Sequence, residues 1–236
     1  VLVASLGFLG YIAIRWLGAQ AGIMVTGLAG GLASSTATTL AMSRESRRMP
    51  PLSGSLALAV VLACTVMLAR LAVMMVLISP ELALATLWPF VLMALPGAAW
   101  GLREWRREAP AKKVSTPELG NPLSLRLALQ FGLLYAAVGF LTRWAVAHMP
   151  VGWMYGISFV SGLADAAPVT LSSAQAVSGH LLTVTVAARC VLLAALSNTL
   201  GKAGLALVIG TPAYRRAIAV ALGAVFVFGL AGLWWF

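Results

Sequence analysis

The chain is 236 residues long, 61% hydrophobic and only 9% charged, with a mean hydropathy of +0.97. That balance excludes a soluble domain of this size. Apolar runs of about 20 residues recur, each long enough to span a bilayer as a helix. The net charge of +10 does not point to nucleic acid, because the basic residues gather in short loops, as cytoplasmic loops do, and form no stripe interleaved with aromatics.

The first run is Val1 to about Leu17, ending at Arg15 and Trp16. No initiating Met and no basic segment precede it, so an upstream part is expected. The second run, about Ala21 to Met42, is rich in glycine and hydroxyls from Gly27 to Thr39. A basic loop with Arg44, Arg47 and Arg48 follows, then Pro50 and Pro51. The third run is about Ser53 to Ile78, interrupted by Arg70, and Ser79-Pro80-Glu81 turns the chain into a fourth, about Leu82 to Leu102. Residues 103–123 are a basic linker read as cytoplasmic. The runs of the second half are about 124–147, 151–176, 181–210 and 213–236. Trp16, Trp88, Trp100, Trp144 and Trp153 lie near run ends, as an interfacial aromatic belt requires. Cys64 and Cys190 fall inside apolar runs and read as small buried hydrophobes.

The two halves share an order of short motifs. Gly31-Leu-Ala-Ser34 matches Gly162-Leu-Ala-Asp165, and Thr39-Leu40 continues onto Thr170-Leu171. With a slip of one residue, Arg70 matches Lys202 and Ser79-Pro80 matches Thr211-Pro212. Such repeats are a feature of many transporter folds, with sites at the repeat interface. Three runs separate the basic linker from the basic pair Arg215 and Arg216. Keeping both loops on one side requires one run to enter and leave on the same side. The run at 151–178 is the candidate and 21–43 its mate, which makes the repeats inverted. Four true spans per repeat, parallel, is the alternative. The expected fold is all-α: a polytopic helical membrane protein with a first membrane repeat at 1–102, a linker at 103–123 and a second, inverted repeat at 124–236, each repeat with a broken helix.

Asp165 is the carboxylate that lies inside an apolar run, whereas Glu45, Glu81, Glu104, Glu108 and Glu118 sit between runs or at their ends. A mid-bilayer carboxylate costs roughly 2.5–3.5 kcal/mol on insertion scales and persists with partners or water. The two broken stretches add oxygens: Ser34, Ser35, Thr36, Thr38 and Thr39 in one, Asp165 and Thr170 in the other. This environment suits Mg²⁺, Na⁺ or a proton better than a soft metal. Taken singly, each hydroxyl is as well explained by packing and back-bonding to a carbonyl. A further cluster holds Ser197, Asn198 and Lys202, the last two sharing a helix face. Lys202 is either the counter-ion of Asp165 or a residue reaching the interface by its stem, and Arg70 is expected to do the latter. Gly27 with Gly31, and Gly152 with Gly156, have the spacing for close helix approach. His148 and His180 lack metal-ligand spacing. With no Ser/His/Asp arrangement, phosphate loop or Cys/His cluster, neither an enzyme nor a cofactor is expected.

Three ordered motifs, Gly30-Gly-Leu-Ala-Ser-Ser-Thr-Ala-Thr-Thr39, Ser161-Gly-Leu-Ala-Asp165 and Leu196-Ser-Asn-Thr-Leu-Gly-Lys202, resemble the bacterial membrane domain of unknown function 4010, which often follows an MgtC/SapB-type membrane domain. The resemblance implies a multi-pass component of the bacterial cytoplasmic (inner) membrane, an upstream MgtC-like partner domain and a role in magnesium transport. It touches Gly30, Gly31, Ser34, Ser35, Thr36, Thr38, Thr39, Gly162, Asp165, Ser197, Asn198 and Lys202. Relatives carry a second acid where this chain has Ala167, which weakens a divalent site more than a monovalent one. The expectation is a transporter or channel-like component for a hard cation. Asp165 would be the metal ligand, Asn198, Ser34 and Thr38 would complete the site, and Lys202 would pair with Asp165 when the site is empty. A homo-oligomer is expected from the small-residue faces. Anion transport and a non-transporting regulatory subunit are the alternatives.

Overall fold

The computed structural model describes residues 23–105 and 150–236, together with helical backbone at 129, 133, 136–141 and 144. The first run, the linker beyond 105 and most of the run at 124–147 lie outside the described residues. Seven α-helices follow in chain order among the described residues: α1 (Ile23–Arg48), α2 (Ser53–Ile78), α3 (Pro80–Trp105), α4 (Gly152–Ala164), α5 (Ala166–Ser178), α6 (Val184–Ile209) and α7 (Pro212–Leu233). A single 3₁₀ turn at Pro50–Leu52 leads into α2, with proline at its start, where a missing N–H costs nothing.

Five of these segments are long and apolar enough to cross a membrane: Ile23–Arg48, Pro50–Ile78, Pro80–Arg103, Val184–Ile209 and Pro212–Leu233. Large apolar side chains on them face outward, as at Leu84 and Val208, each 73% exposed. In water such faces would be untenable, whereas acyl chains solvate them. The chain is thus an all-helical, multi-pass membrane protein. α4 and α5 have 13 residues each, or about 20 Å apiece at 1.5 Å per residue, so neither alone crosses a core about 30 Å thick.

The described chain divides into two compact units. The first holds α1, α2 as far as Met67, α3 from Ala94, α6 from Lys202 and α7 as far as Val225. Its core gathers Ile23, Met42, Leu56, Val60, Cys64, Tyr214, Ile218 and Leu222. Small residues set the helix spacing there. A Cβ at Gly27 would come within 2.6 Å of the Ala59 Cα, and one at Gly31 within 2.7 Å of the Ala63 Cα. Backbone therefore packs on backbone, the source of helix adhesion where lipid removes the hydrophobic drive.

The second unit holds α2 from Leu68, α3 as far as Met93, α4, α5, α6 as far as Gly201 and α7 from Phe226. Leu71, Met74, Met75, Leu82, Met93, Leu192 and Leu196 are fully or almost fully buried in the chain. Gly229 sits over Leu196 and Met93, and Gly232 over Pro89. Thr86 turns its hydroxyl back to the Leu82 carbonyl at 2.8 Å and lies 3.5 Å from the Met75 sulfur, so its polarity is spent locally. Ser178 at the end of α5 donates to the Ile78 carbonyl at the end of α2, 2.7 Å away.

The expected close approach at Gly152 and Gly156 is not found. No described residue lies within 4 Å of a Cβ at either position. On α4 it is Gly162 that meets the backbone of α6, against Ala194. Glycine spacing alone does not select between these positions, because the contact depends on which face of α4 turns to α6.

Candidate functional site: two helix breaks

Both expected breaks are present, each at one residue with extended backbone. Ser34 (φ −166°, ψ 104°) interrupts α1, and Asp165 (φ −159°, ψ 135°) separates α4 from α5. Each acts as an N-cap for the helix that follows. Ser34 Oγ accepts from the Ala37 N–H at 3.2 Å, and Asp165 Oδ1 accepts from the Ala167 N–H at 2.9 Å. Short oxygen-bearing side chains favour this non-helical start because they satisfy a donor the helix itself cannot. Pro168 falls in the first turn of α5, where its missing N–H is one the helix would leave unbonded anyway. The break is therefore the cap at Asp165, with the proline just inside.

In the second unit the break orphans carbonyls at the end of α4, and α6 meets them. Asn198 donates its Nδ2 to the Gly162 carbonyl at 2.9 Å, the oxygen that an unbroken helix would have given to the Ala166 N–H. The contact also fixes the amide orientation, since a carbonyl requires the NH₂ end. Gly162 lies with its would-be Cβ 2.5 Å from the Ala194 carbonyl oxygen and against Ser197 Oγ. One turn further on, a Cβ at Gly201 would come 3.0 Å from the Leu163 carbonyl. Ala194, Ser197, Asn198 and Gly201 thus form the stripe of α6 on which the end of α4 rests, at the three- and four-residue spacing of one helix face.

Charge and open acceptors define what this break can hold. Asp165 is half-buried, and its carboxylate acts electrostatically on Arg70. Arg70 is 9% exposed and so does not carry its guanidinium out to an interface, contrary to the sequence expectation. Asn198 is buried at 3% exposure, and its Oδ1 has no hydrogen-bond partner among the described residues. The same unit thus holds an open amide oxygen on α6 and a half-buried carboxylate at the break, both hard donors.

The first unit carries the other break. Ser34 is half-buried, Ser35, Thr38 and Thr39 are buried, and Thr36 is exposed. Thr38 and Thr39 back-bond to the Ser34 and Ser35 carbonyls at 2.9 and 2.8 Å. Thr170 does the same to Ala166 at 2.9 Å, and Ser197 to Ala194 at 3.1 Å. These four hydroxyl protons are committed within their own helices, as the packing interpretation expects. Lys202 belongs to this unit, is 2% exposed, and points its Nζ at the Met67 sulfur, 2.9 Å away. Of the residues singled out in the sequence, Asp165, Thr170, Ser197, Asn198 and Arg70 fall in the second unit, and Ser34, Ser35, Thr36, Thr38, Thr39 and Lys202 in the first. Met67 and the Gly162 carbonyl were not anticipated. A methionine in an apolar run carries no signal, and a backbone oxygen shows none until its helix is seen to end.

The family model described as Domain of unknown function (DUF4010) matches residues 1–210. An uncharacterized protein of Aquifex aeolicus (strain VF5) is 31% identical over 193 residues, covering 80% of this chain and 83% of the relative. No solved structure matches.

Proposed function

This chain belongs to the DUF4010 family, and on that premise we propose that it is a membrane transport component that carries a small hard cation through the helix break at Asp165. The observation that carries this reading is the juxtaposition in the second unit. A capping carboxylate with extended backbone separates two short helices, and the end of the first rests on a buried Asn198 whose Oδ1 is open. Non-helical backbone at membrane depth is tolerated where protein buries it or water lines it, and discontinuous helices recur at transporter ion sites. Asp165 is the ion or proton carrier, Asn198 the neutral ligand and Arg70 the counter-charge when the site is empty. A proton or Na⁺ fits this charge balance better than Mg²⁺, which the family resemblance puts first. The described residues contain no group of three His, Cys, Asp or Glu side chains, and Arg70 offsets the one carboxylate.

The reading includes two internal repeats. Its support is a single offset that relates local structure from the break to the end of the following long helix, after which the starts of α3 (Pro80) and α7 (Pro212) lie one residue further apart. It carries Ser34 onto Asp165, and α2 (Ser53–Ile78) onto α6 (Val184–Ile209) end for end. It carries Gly31 on Ala63 onto Gly162 on Ala194, and the bond from Thr39 to Ser35 onto that from Thr170 to Ala166. At this offset Met67 corresponds to Asn198, and Lys202 to Leu71. The two buried cations are then adjacent in register, not equivalent. Inversion draws support from the first unit, where Ser53 at the start of α2 lies 3.0 Å from Thr211, just past the end of α6. One helix leaves where its mate arrives.

Anion transport is the second reading, favoured by the burial of Lys202 at 2% and Arg70 at 9%, since basic constrictions pass anions. Flux in proteoliposomes across H⁺, Na⁺, Mg²⁺, chloride and a carboxylate separates these readings. Cation or proton flux that is lost in Asp165→Asn supports the first. Anion flux alone supports the second. Absence of all flux at verified incorporation leaves a partner-binding subunit.

A further inference from the structure

At one end of the first unit, the loops and helix ends that carry Arg44, Arg47, Arg48, Arg215 and Arg216 are held together by hydrogen bonds. Thr211, between α6 and α7, donates its N–H to Ser46 Oγ at 3.2 Å, and its hydroxyl lies 3.0 Å from that of Ser53. Ser43 and the fully buried Tyr214 share a hydrogen bond of 3.1 Å. Arg47 donates to the Ile209 carbonyl, and Arg215 to those of Gly210 and Val208 at 2.9 and 3.0 Å. Both thereby cap the negative end of α6. The end of α1, the start of α2 and the turn between α6 and α7 therefore form one fixed platform. α3 brings a further cation to it. Gly97 packs on Thr65 and Val61, and Gly101 on Leu62, so α3 runs back along α2 and delivers Arg103 to the same end.

Arg44, Arg48, Arg103 and Arg216 remain exposed there. The described acid at this end is Glu45, itself buried and 3.5 Å from Arg48. Arg216 lies near the start of α7, a helix with no acidic residue in its first turn. That placement is unfavourable, because a helix start carries partial positive charge. A cation cluster beside a helix start is relieved by an anion. The platform sits at the ends of membrane-crossing helices, where the anion at hand is a lipid phosphate.

We propose that this platform is a binding site for the headgroup of an anionic phospholipid, with Arg44, Arg48 and Arg216 contacting the phosphate and Arg103 completing the positive field. The loops that carry these arginines are already held by hydrogen bonds, so their backbone needs little ordering on binding.

The test uses the full chain purified in detergent and titrated with phosphatidylglycerol, phosphatidylcholine or inorganic phosphate. Bound lipid is read by native mass spectrometry, and the unfolding temperature is read in parallel. Phosphatidylglycerol is expected to bind and raise the unfolding temperature, whereas phosphatidylcholine and millimolar phosphate do not. The double variant Arg44→Gln/Arg216→Gln is expected to bind phosphatidylglycerol about thirtyfold more weakly, at about 1 kcal/mol for each arginine near a lipid surface. Arg44→Lys/Arg216→Lys retains most of the binding and shows that the platform is folded. Equal binding of both lipids, or undiminished binding by the glutamine variant, overturns the proposal. Equal stabilisation by inorganic phosphate overturns the lipid assignment.

Discussion

Asn198 Nδ2 lies 2.9 Å from the Gly162 carbonyl, bridging two segments 36 residues apart and filling the place of a helical N–H that the break removed. Replacing Asn198 by Leu keeps the volume and leaves that carbonyl buried without a donor. The expected cost is about 1–3 kcal/mol, read as a lower unfolding temperature in detergent. Stability equal to that of the parent would mean that water already serves the carbonyl and that the amide is not structural.

Charge at the break is tested by a cycle. Asp165→Asn removes the carboxylate charge at constant volume and is expected to abolish transport while the protein stays folded. Arg70→Met leaves Asp165 without its cation and is expected to destabilise more than the double variant does. A coupling energy of about 0.5–3 kcal/mol is the range for interacting neighbours. Additive effects would separate the two residues, and parental flux in Asp165→Asn would reduce Asp165 to a helix cap.

The glycines sort into two classes. Gly162→Ala and Gly31→Ala place a methyl 2.5 Å from the Ala194 carbonyl oxygen and 2.7 Å from the Ala63 Cα. Overpacking of this kind costs about 1–3 kcal/mol. Gly156→Ala meets no described atom within 4 Å and is expected to be neutral or slightly stabilising, by up to about 1 kcal/mol of helix propensity. Thermal melts of the three variants check the order, and a destabilised Gly156→Ala would contradict it.

Sidedness follows from the hydrogen bonds between loops. With Cys64 and Cys190 replaced by alanine, single cysteines at Arg48 and Arg216 are expected to react with an impermeant maleimide from one face. Those at Glu81 and His180 are expected to react from the other. The first pair shares the platform around Thr211, and the second flanks the contact between Ser178 and Ile78. Labelling of Arg48 and Arg216 from different faces would defeat the inverted arrangement.

Much of this architecture was legible in the sequence. The apolar runs gave the helices to within a few residues, because hydropathy over a membrane's thickness is a long-range sum that tolerates local error. The breaks were legible because Asp165 and the hydroxyl-rich stretch at Ser34 are costly inside an apolar run. The side chains at the breaks were harder. Thr38, Thr39, Thr170 and Ser197 each donate a hydroxyl to a carbonyl of their own helix, as back-bonding of each taken singly predicts, and that choice is set by rotamer and not by residue type. Arg70 was expected to reach an interface and is instead buried within the chain, which hydropathy along the chain does not reveal.

The bond from Asn198 to Gly162 also sets an order of events in biogenesis. A ribosome adds about 5–20 residues per second, so the 36 residues between acceptor and donor correspond to roughly 2–7 s during which α4 has emerged without its partner. Through that interval the Gly162 carbonyl has water or the insertion machinery to bond to. The Gly162 carbonyl is therefore expected to gain its amide donor only after α6 has been made and has docked against α4.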